Sequence, residues 1–257
     1  MKVPILSDLK SKGESPEYLF WVGCAGSFDD RSKKVTKAFV KILNKANISY
    51  AILGKEESCT GDPAKRAGNE FLFQMKAIAN IEILNSYSIK NIITTCPHCF
   101  NTINNEYPEL GGNYNVIHHT TFINNLIKEN RISIGGGFYK GKRITYHDPC
   151  YLGRANGIYE APREVIEKLD AELVEMKSCK SKSLCCGAGG AQMFKEPEKG
   201  NQDINIKRSE EAINTDSEIV AVSCPFCNTM MSDGMTSKEK NINVLDIAQM
   251  IEKAEDL

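Results

Sequence analysis

Short apolar runs of strand length alternate with longer segments of helical periodicity along the whole chain. In one helical segment, the apolar side chains from Val35 to Leu43 recur at the three- and four-residue spacing of one helix face. In the second half, Pro162 is predicted to open the corresponding helix. The apolar runs predict strands at 19–23, 48–53, 91–95, 115–117, 144–146, 173–176, 218–223 and 243–245. Strands that alternate with helices in this way indicate parallel α/β sheets.

The order of these elements repeats in the two halves of the chain, at an offset of 126 to 128 positions. We therefore predict an α/β fold of two pseudo-symmetric lobes from an internal duplication, each a small, mostly parallel sheet flanked by helices. Glycines 135 to 137 indicate the boundary between the lobes. The predicted division is an N-terminal lobe at 1–134, a linker at 135–142 and a C-terminal lobe at 143–257.

Composition narrows the possible functions only modestly. The 257 residues carry a net charge of −1, which gives no reason to expect a nucleic-acid partner. Neither a signal peptide nor an apolar run of membrane-spanning length is evident, so a cytoplasmic location is predicted. Cysteines stay reduced there, and the ten cysteines of this chain are expected to serve as metal ligands or redox groups.

Eight of these cysteines form two sets that repeat with the predicted elements. Cys24, Cys59, Cys96 and Cys99 are matched by Cys150, Cys185, Cys224 and Cys227. Each cysteine follows a predicted strand, and the carboxyl ends of parallel strands lie at one edge of the sheet. Cysteines more than thirty residues apart are therefore expected to converge on one centre in each lobe.

The two C-P-x-C segments, 96–99 and 224–227, add a local argument. A proline directly after the first cysteine suits the first turn of a helix, where its missing N–H has no helical partner. The thiolates would then lie near free N–H groups and the positive end of the helix dipole, which stabilises negative sulfur.

The second half resembles the CCG-type cysteine-rich domain, whose pattern is one cysteine, then C-C-G, then C-x-x-C. The matching residues are Cys150, Cys185-Cys186-Gly187 and Cys224-Pro225-Phe226-Cys227. This domain occurs in heterodisulfide reductase and in iron–sulfur subunits of lactate, glycolate and glycerol-3-phosphate oxidation systems. The resemblance implies that Cys150, Cys185, Cys186, Cys224 and Cys227 hold a [4Fe–4S] cluster, in heterodisulfide reductase a non-cubane one.

The first half departs from this pattern, because Thr60 stands where the second cysteine of C-C-G would be. The four remaining thiols, those of Cys24, Cys59, Cys96 and Cys99, suffice for a second [4Fe–4S] cluster or for tetrahedral Zn²⁺. We therefore expect two unlike sites.

These observations predict an iron–sulfur subunit of an oxidoreductase complex, with electron transfer to a thiol/disulfide or quinone-linked acceptor. The chain has no ferredoxin-like cysteine run, so a separate ferredoxin-like or flavoprotein subunit is expected, through which peripheral membrane association is open. One alternative is a zinc-stapled assembly module of an oxidation complex. Another is a thiol–disulfide oxidoreductase that uses Cys96 and Cys99.

The sequence also supports predictions for several residues outside the two cysteine sets. His147 could donate a hydrogen bond to a cluster sulfur or simply satisfy loop backbone. Cys179 has no counterpart in the first half and is expected to be a small buried apolar residue. His118 and His119 follow a predicted strand and are expected to cap a helix, and Trp21 is expected in the core.

Overall fold

The computed structural model describes residues 3–135, 137–196 and 199–257 of the chain. Within these residues, each half forms one four-stranded parallel sheet. The strands are β1 (Tyr18–Trp21), β2 (Tyr50–Ala51), β3 (Asn91–Thr94), β4 (Asn115–His118), β5 (Arg143–Tyr146), β6 (Glu172–Leu173), β7 (Ile219–Val222) and β8 (Asn243–Asp246). The strand orders, β2-β1-β3-β4 and β6-β5-β7-β8, are the same order repeated. The predicted α/β fold with two pseudo-symmetric lobes is confirmed.

Helices flank both sheets. The α-helices are α1 (Leu6–Ser11), α2 (Gly23–Phe28), α3 (Asp30–Lys45), α4 (Asp62–Arg66), α5 (Glu70–Ser86), α6 (Pro97–Asn101), α7 (His119–Lys128), α8 (Glu160–Lys168), α9 (Ile204–Ile213), α10 (Pro225–Ser237) and α11 (Ile247–Ala254). A π-helical turn at Thr102–Glu106 extends α6. In the described part of the chain, no helix combines the length and the apolar character needed to cross a bilayer.

Two of the four edge strands, β2 and β6, are shorter than the sequence predicts. Each has only two residues, where the apolar runs predict strands at 48–53 and 173–176. Each pairs in parallel with one neighbouring strand, β1 or β5, over two residues. The helix predicted to open at Pro162 begins instead at Glu160. Pro162 still lies in the first turn, where N–H groups have no helical partner.

The lobes share one core, to which each lobe contributes two helices. Helix α3 of the first lobe packs on α11 of the second, and α7 of the first packs on α8 of the second. Phe20 of β1 and Tyr146 of β5, at equivalent strand positions, are both fully buried in this shared core. The other faces of β1 and β5 are directed away from this shared core. On that side lie separate apolar clusters, which contain the cysteines or are next to them.

The segment between α7 and β5 contains the predicted linker. Tyr139 is buried in the shared core, and the Gly135 N–H donates to the Glu255 carboxylate near the end of the chain. Gly136, part of the predicted boundary, lies outside the described residues. The described part of this segment is thus packed against the lobes.

Candidate metal centres

The cysteines lie at the carboxyl ends of the strands in both lobes. Cys24 follows β1 in α2, and Cys59 lies in the loop that leads to α4. The second lobe repeats this arrangement, with Cys150 after β5 and the Cys185–Cys186 pair in the loop after β6. All ten cysteines are free thiols.

Both C-P-x-C segments begin helices in the predicted way. Cys96 and Cys224 are the N-cap residues of α6 and α10, and a proline occupies the first helical position in each. Cys99 and Cys227 lie in the first turn of the same helices. Each pair of thiols therefore lies at the positive end of a helix dipole.

The five thiols of the second lobe are linked by successive contacts. The Sγ atoms of Cys186 and Cys227 are 3.3 Å apart. The thiols of Cys150 and Cys186 both interact with Cys185 and lower its pKa strongly. Burial opposes ionisation of Cys224, but the neighbouring Cys227 and His98 side chains outweigh it and lower the pKa of Cys224 to about 7. The structure thus brings together all five cysteines that the sequence singles out here.

The four thiols of the first lobe form a similar group. The Cys24 thiol interacts with Cys59 and lowers its pKa to about 6, while the Cys99 thiol and then His98 lower the pKa of Cys96 to about 5. The two pairs are also connected, since the Cys96 thiol and burial, followed by the nearby Cys24 and Cys59 side chains, raise the pKa of Cys99 well above its ordinary value. One narrow cavity is lined by all four thiols and by Phe226 of the second lobe.

Thr60 occupies the place of Cys186 in space as well as in sequence. Its hydroxyl Oγ1 lies 4.0 Å from the Sγ atom of Cys99, as Cys186 lies against Cys227 in the other lobe. Thr60 is buried, with 1% of its surface exposed. The first site therefore has a hydroxyl where the second has a fifth thiol.

Backbone N–H groups at equivalent glycines donate to equivalent sulfurs. The Gly61 N–H lies 3.5 Å from Cys59 Sγ, and the Gly187 N–H lies 3.3 Å from Cys185 Sγ. Both glycines have positive φ, 90° and 94°, a conformation that glycine adopts without strain.

His98 lies between the two sites. It belongs to the first lobe, but its ring is next to Cys224 of the second lobe as well as Cys96. Burial opposes protonation, yet these two thiols raise the pKa of His98 above its ordinary range. The ring packs on Tyr151 and Phe226, with centroid distances of 4.5 and 5.1 Å. Phe226 is the counterpart of His98 in the repeat, so each lobe places a ring beside the other lobe's thiols.

The remaining candidate residues are placed as follows. Cys179 is only half-buried, so the prediction of a buried apolar residue is wrong, and it lies outside the thiol group. Burial, followed by the nearby Glu175 carboxylate, raises its pKa. His118 is the N-cap of α7, as predicted, and accepts from Thr120 N–H.

Sequence reasoning missed two interactions of the histidines. His119 Nε2 bonds to Asp246 Oδ1 across the lobe interface at 3.0 Å. His147 Nδ1 accepts from Arg208 Nε at 2.9 Å. Burial and then the Arg208 charge lower the pKa of His147 to about 3. The sequence around Arg208 carries no signal for this role, because the two residues are 61 positions apart on different elements.

The donor atoms fit thiolate-bound metal centres. Thiolates are the usual ligands of iron–sulfur clusters and also bind zinc tetrahedrally. The same geometry disfavours a lone dithiol at Cys96 and Cys99, because both side chains are buried and share their surroundings with two further thiols.

Known sequences similar to this chain include a cysteine-rich domain family and proteins that are named as oxidoreductases. The profile of the Cysteine-rich domain named CCG matches twice, at residues 18–104 and 144–232. The chain is 41% identical to the EtfAB:quinone oxidoreductase of Syntrophomonas wolfei over 96% of its own length and 35% of that protein. It is 40% identical to the probable iron-sulfur-binding oxidoreductase FadF of Bacillus subtilis over 97% of its own length and 36% of that protein.

A methanogen protein and one crystal structure are also similar. One subunit of the dihydromethanophenazine:CoB–CoM heterodisulfide reductase of Methanosarcina barkeri is 32% identical over 94% of this chain and 59% of its own length. The chain thus spans between about a third and three fifths of these relatives. A hypothetical protein from Helicobacter pylori shares the fold with a TM-score of 0.57 at 8% identity, over 92% of this chain and 48% of that one.

Proposed function

This chain belongs to the family of proteins with the CCG Cysteine-rich domain, here in two copies, and we propose that it is an iron–sulfur subunit of an oxidoreductase complex. Its relatives are named as oxidoreductases or as part of a reductase, and one name specifies iron–sulfur binding. The chain covers only part of each relative's length. We therefore propose such an activity for the complex of this chain with its partners and not for the chain alone.

One observation carries this proposal: five thiols of the second lobe, from two loops and the start of α10, meet at one edge of the sheet. We assign Cys150, Cys185, Cys186, Cys224 and Cys227 as the ligands of a [4Fe–4S] cluster, of cubane or non-cubane type. Such a cluster supplies a centre that takes up and releases electrons. The chain's own residues hold it at helix N-termini, donate N–H groups to its sulfurs and surround it with apolar side chains.

We assign Cys24, Cys59, Cys96 and Cys99 to a second centre, either a [4Fe–4S] cluster or Zn²⁺. Four thiols suffice for both, and the hydroxyl of Thr60 supplies no fifth thiolate. This centre would act as a relay or as a structural site, while the five-thiol centre would be the reactive one.

The relatives' names support the two proposed classes of acceptor. The EtfAB:quinone oxidoreductase supports a quinone-linked acceptor, and the heterodisulfide reductase supports a thiol/disulfide one. We propose a separate ferredoxin-like or flavoprotein subunit as electron partner. The ten free cysteines support a cytoplasmic site of action. The proposed lobe bounds are 1–134 and 143–257, with 135–142 as linker.

A second candidate is a zinc-stapled module that assembles an oxidation complex without redox work. The four-thiol group of the first lobe favours it, because Cys₄ is a common structural zinc set.

Anaerobic purification followed by metal and sulfide analysis and electron paramagnetic resonance separates the two candidates. Iron, sulfide and a paramagnetic state in the wild type are expected, and zinc without sulfide in both lobes would refute the oxidoreductase proposal. The variant Cys186→Ser should lose the second-lobe signal and keep the first. Cys179→Ser is the matched control, a nearby cysteine outside the thiol group, and should change neither signal.

A further inference from the structure

His147 has the position of a metal ligand. One of its ring nitrogens lies within 4.8 Å of the Sγ atoms of Cys186 and Cys227, and all three residues are buried. By distance alone, the ring could bind a metal or could donate an N–H to sulfur. The two roles require different nitrogens to carry the proton.

Arg208 decides between these roles. Its Nε–H donates to His147 Nδ1 at 2.9 Å, and a guanidinium has donors only. Nδ1 must therefore be the unprotonated nitrogen, so the single proton of the neutral ring is on Nε2. Because Nδ1 is already bonded to Arg208, Nε2 is the nitrogen available for a bond to sulfur. A histidine that binds metal usually donates its other N–H to a carboxylate, carbonyl or water. Here the second nitrogen accepts instead, which is the reverse arrangement.

Arg208 is itself held in place by several further hydrogen bonds. Its Nη1 donates to Ser178 O at 2.7 Å and to the Glu211 carboxylate at 2.6 Å. Its Nη2 donates to Ser183 Oγ at 3.3 Å, and its side chain is fully buried. These contacts fix the guanidinium and, through it, the orientation of the imidazole ring.

The repeat supplies an independent observation at the first site. Trp21 occupies the position equivalent to His147, three residues before the first cysteine of its lobe. It is fully buried in the same apolar cluster as Cys96 and Cys99. Its indole Nε1–H has no hydrogen-bond partner among the described residues. An indole N–H can donate but cannot bind a metal.

We propose that His147 is an N–H donor to sulfur of the second centre and not a ligand of its metal, with Arg208 as the positioning residue and Trp21 as the equivalent donor at the first centre. The proposal rests on the proposed function for the presence of iron. Hydrogen bonds to cluster sulfurs are one of the factors that set the reduction potential. The two donors would stabilise the more negative, reduced state of each centre.

The tautomer of His147 tests the positioning step without any activity assay. Protein labelled with ¹⁵N-histidine is prepared in a diamagnetic form, metal-free or zinc-loaded, and its imidazole nitrogens are assigned by nuclear magnetic resonance. We expect His147 to carry its proton on Nε2 in the wild type and to lose this fixed preference in Arg208→Met. A proton on Nδ1 in the wild type would overturn the proposal.

Pulsed electron paramagnetic resonance tests the ligand role directly in the iron-loaded protein. A weakly coupled His147 nitrogen is expected, and the strong coupling of a metal-bound nitrogen would overturn the proposal. If no iron is present, the proposed function fails, while the tautomer experiment still decides this inference.

Redox titration of matched variants tests the effect of each donor. His147→Phe should move the potential of the second centre to a more negative value and leave the first unchanged, and His147→Gln, which keeps an N–H donor, should restore part of the shift. Trp21→Phe removes only the indole N–H and should shift the first centre when that centre holds iron. Unchanged potentials in both His147→Phe and Trp21→Phe would contradict the proposed donor role.

Discussion

At the scale of single residues, one hydroxyl distinguishes the two thiol groups. Thr60 and Cys186 occupy equivalent positions, and each contacts the second cysteine of its C-P-x-C helix. The difference between a four-thiol and a five-thiol site therefore depends on one side chain in an otherwise repeated arrangement. Even the backbone N–H bonds to sulfur, from Gly61 and Gly187, are the same.

Thr60→Cys is expected to convert the first site toward the second. A thiol at position 60 would lie next to Cys99 and supply the missing fifth ligand. The measurement is the electron paramagnetic resonance spectrum of the first site after anaerobic loading with iron and sulfide. Thr60→Ser, which keeps the hydroxyl, is the control. A first-site spectrum that stays the same in Thr60→Cys would mean that the missing thiol does not determine the type of the site.

Gly61→Ala is expected to destabilise the protein and to disturb the first site. A methyl group there would lie 2.9 Å from the Phe73 ring and 3.2 Å from the Phe73 carbonyl oxygen. Gly68→Ala is the matched control, because Gly68 also has positive φ but a methyl group added to it would have nothing within 4 Å. Both variants incur backbone strain of about 1–2 kcal/mol, and only Gly61→Ala adds overlap, which typically costs about 1–3 kcal/mol.

Denaturant unfolding and metal content measure this difference. Gly61→Ala should lose more unfolding free energy than Gly68→Ala and should also lose metal from the first site. Equal losses in the two variants would show that the contact with Phe73 does not matter.

At the scale of elements, the strand-to-helix junctions hold the lobes together. His118 caps α7, and Asp246, its counterpart in the repeat, caps α11 in a capping box. The next residue in the first lobe, His119, bonds to Asp246 across the interface. The same junctions that begin these helices therefore also connect the lobes.

Burial, followed by the neighbouring His119, holds the pKa of His118 well below its ordinary value. Unfolded His118 takes up a proton as the pH falls through about 6.5, whereas the folded protein keeps this ring neutral. The free energy of unfolding should therefore fall below that pH, by up to about 1.4 kcal/mol per pH unit for this group.

His118→Asn tests this pH dependence. Asparagine keeps an N-cap acceptor but does not titrate, so the loss of stability between about pH 6.5 and 5 should be smaller than in the wild type. Denaturant unfolding across this range, at equal metal content, measures the difference. Parallel curves for the two proteins would show that His118 titrates alike in the folded and unfolded states.

At the scale of the whole molecule, the shared core makes the lobes interdependent. Helices α3 and α7 bury their apolar faces against α11 and α8, so neither lobe has a complete core alone. The two thiol groups face each other across the same molecule, with His98 and Phe226 between them. The relative position of the two thiol groups is thus fixed by the packing of the lobes.

We therefore expect both lobes to unfold in a single transition. Trp21 is the only tryptophan in the sequence, so its fluorescence reports on the first lobe, while circular dichroism reports on both. The two denaturation curves should coincide at equal metal content. Two separated transitions would mean that each lobe is stable without the other.

The duplication, the order of the strands along the chain, the two cysteine sets and the helices that begin at C-P-x-C could all be predicted from the sequence. These features depend on local periodicity and on residue types at fixed spacing, which a sequence displays directly. It also located Thr60 as the point where the lobes differ. Trp21 could have been recognised in the same way, since the repeat aligns it with His147.

The contacts between side chains on different elements could be recognised only in the folded protein. Arg208 meets His147 from 61 positions away, and His119 meets Asp246 from 127 positions away. Such contacts depend on how helices pack on sheets and lobes on each other, and no local pattern records that packing. The direction of the His147 proton, and with it the role of this ring, follows from one of these distant contacts.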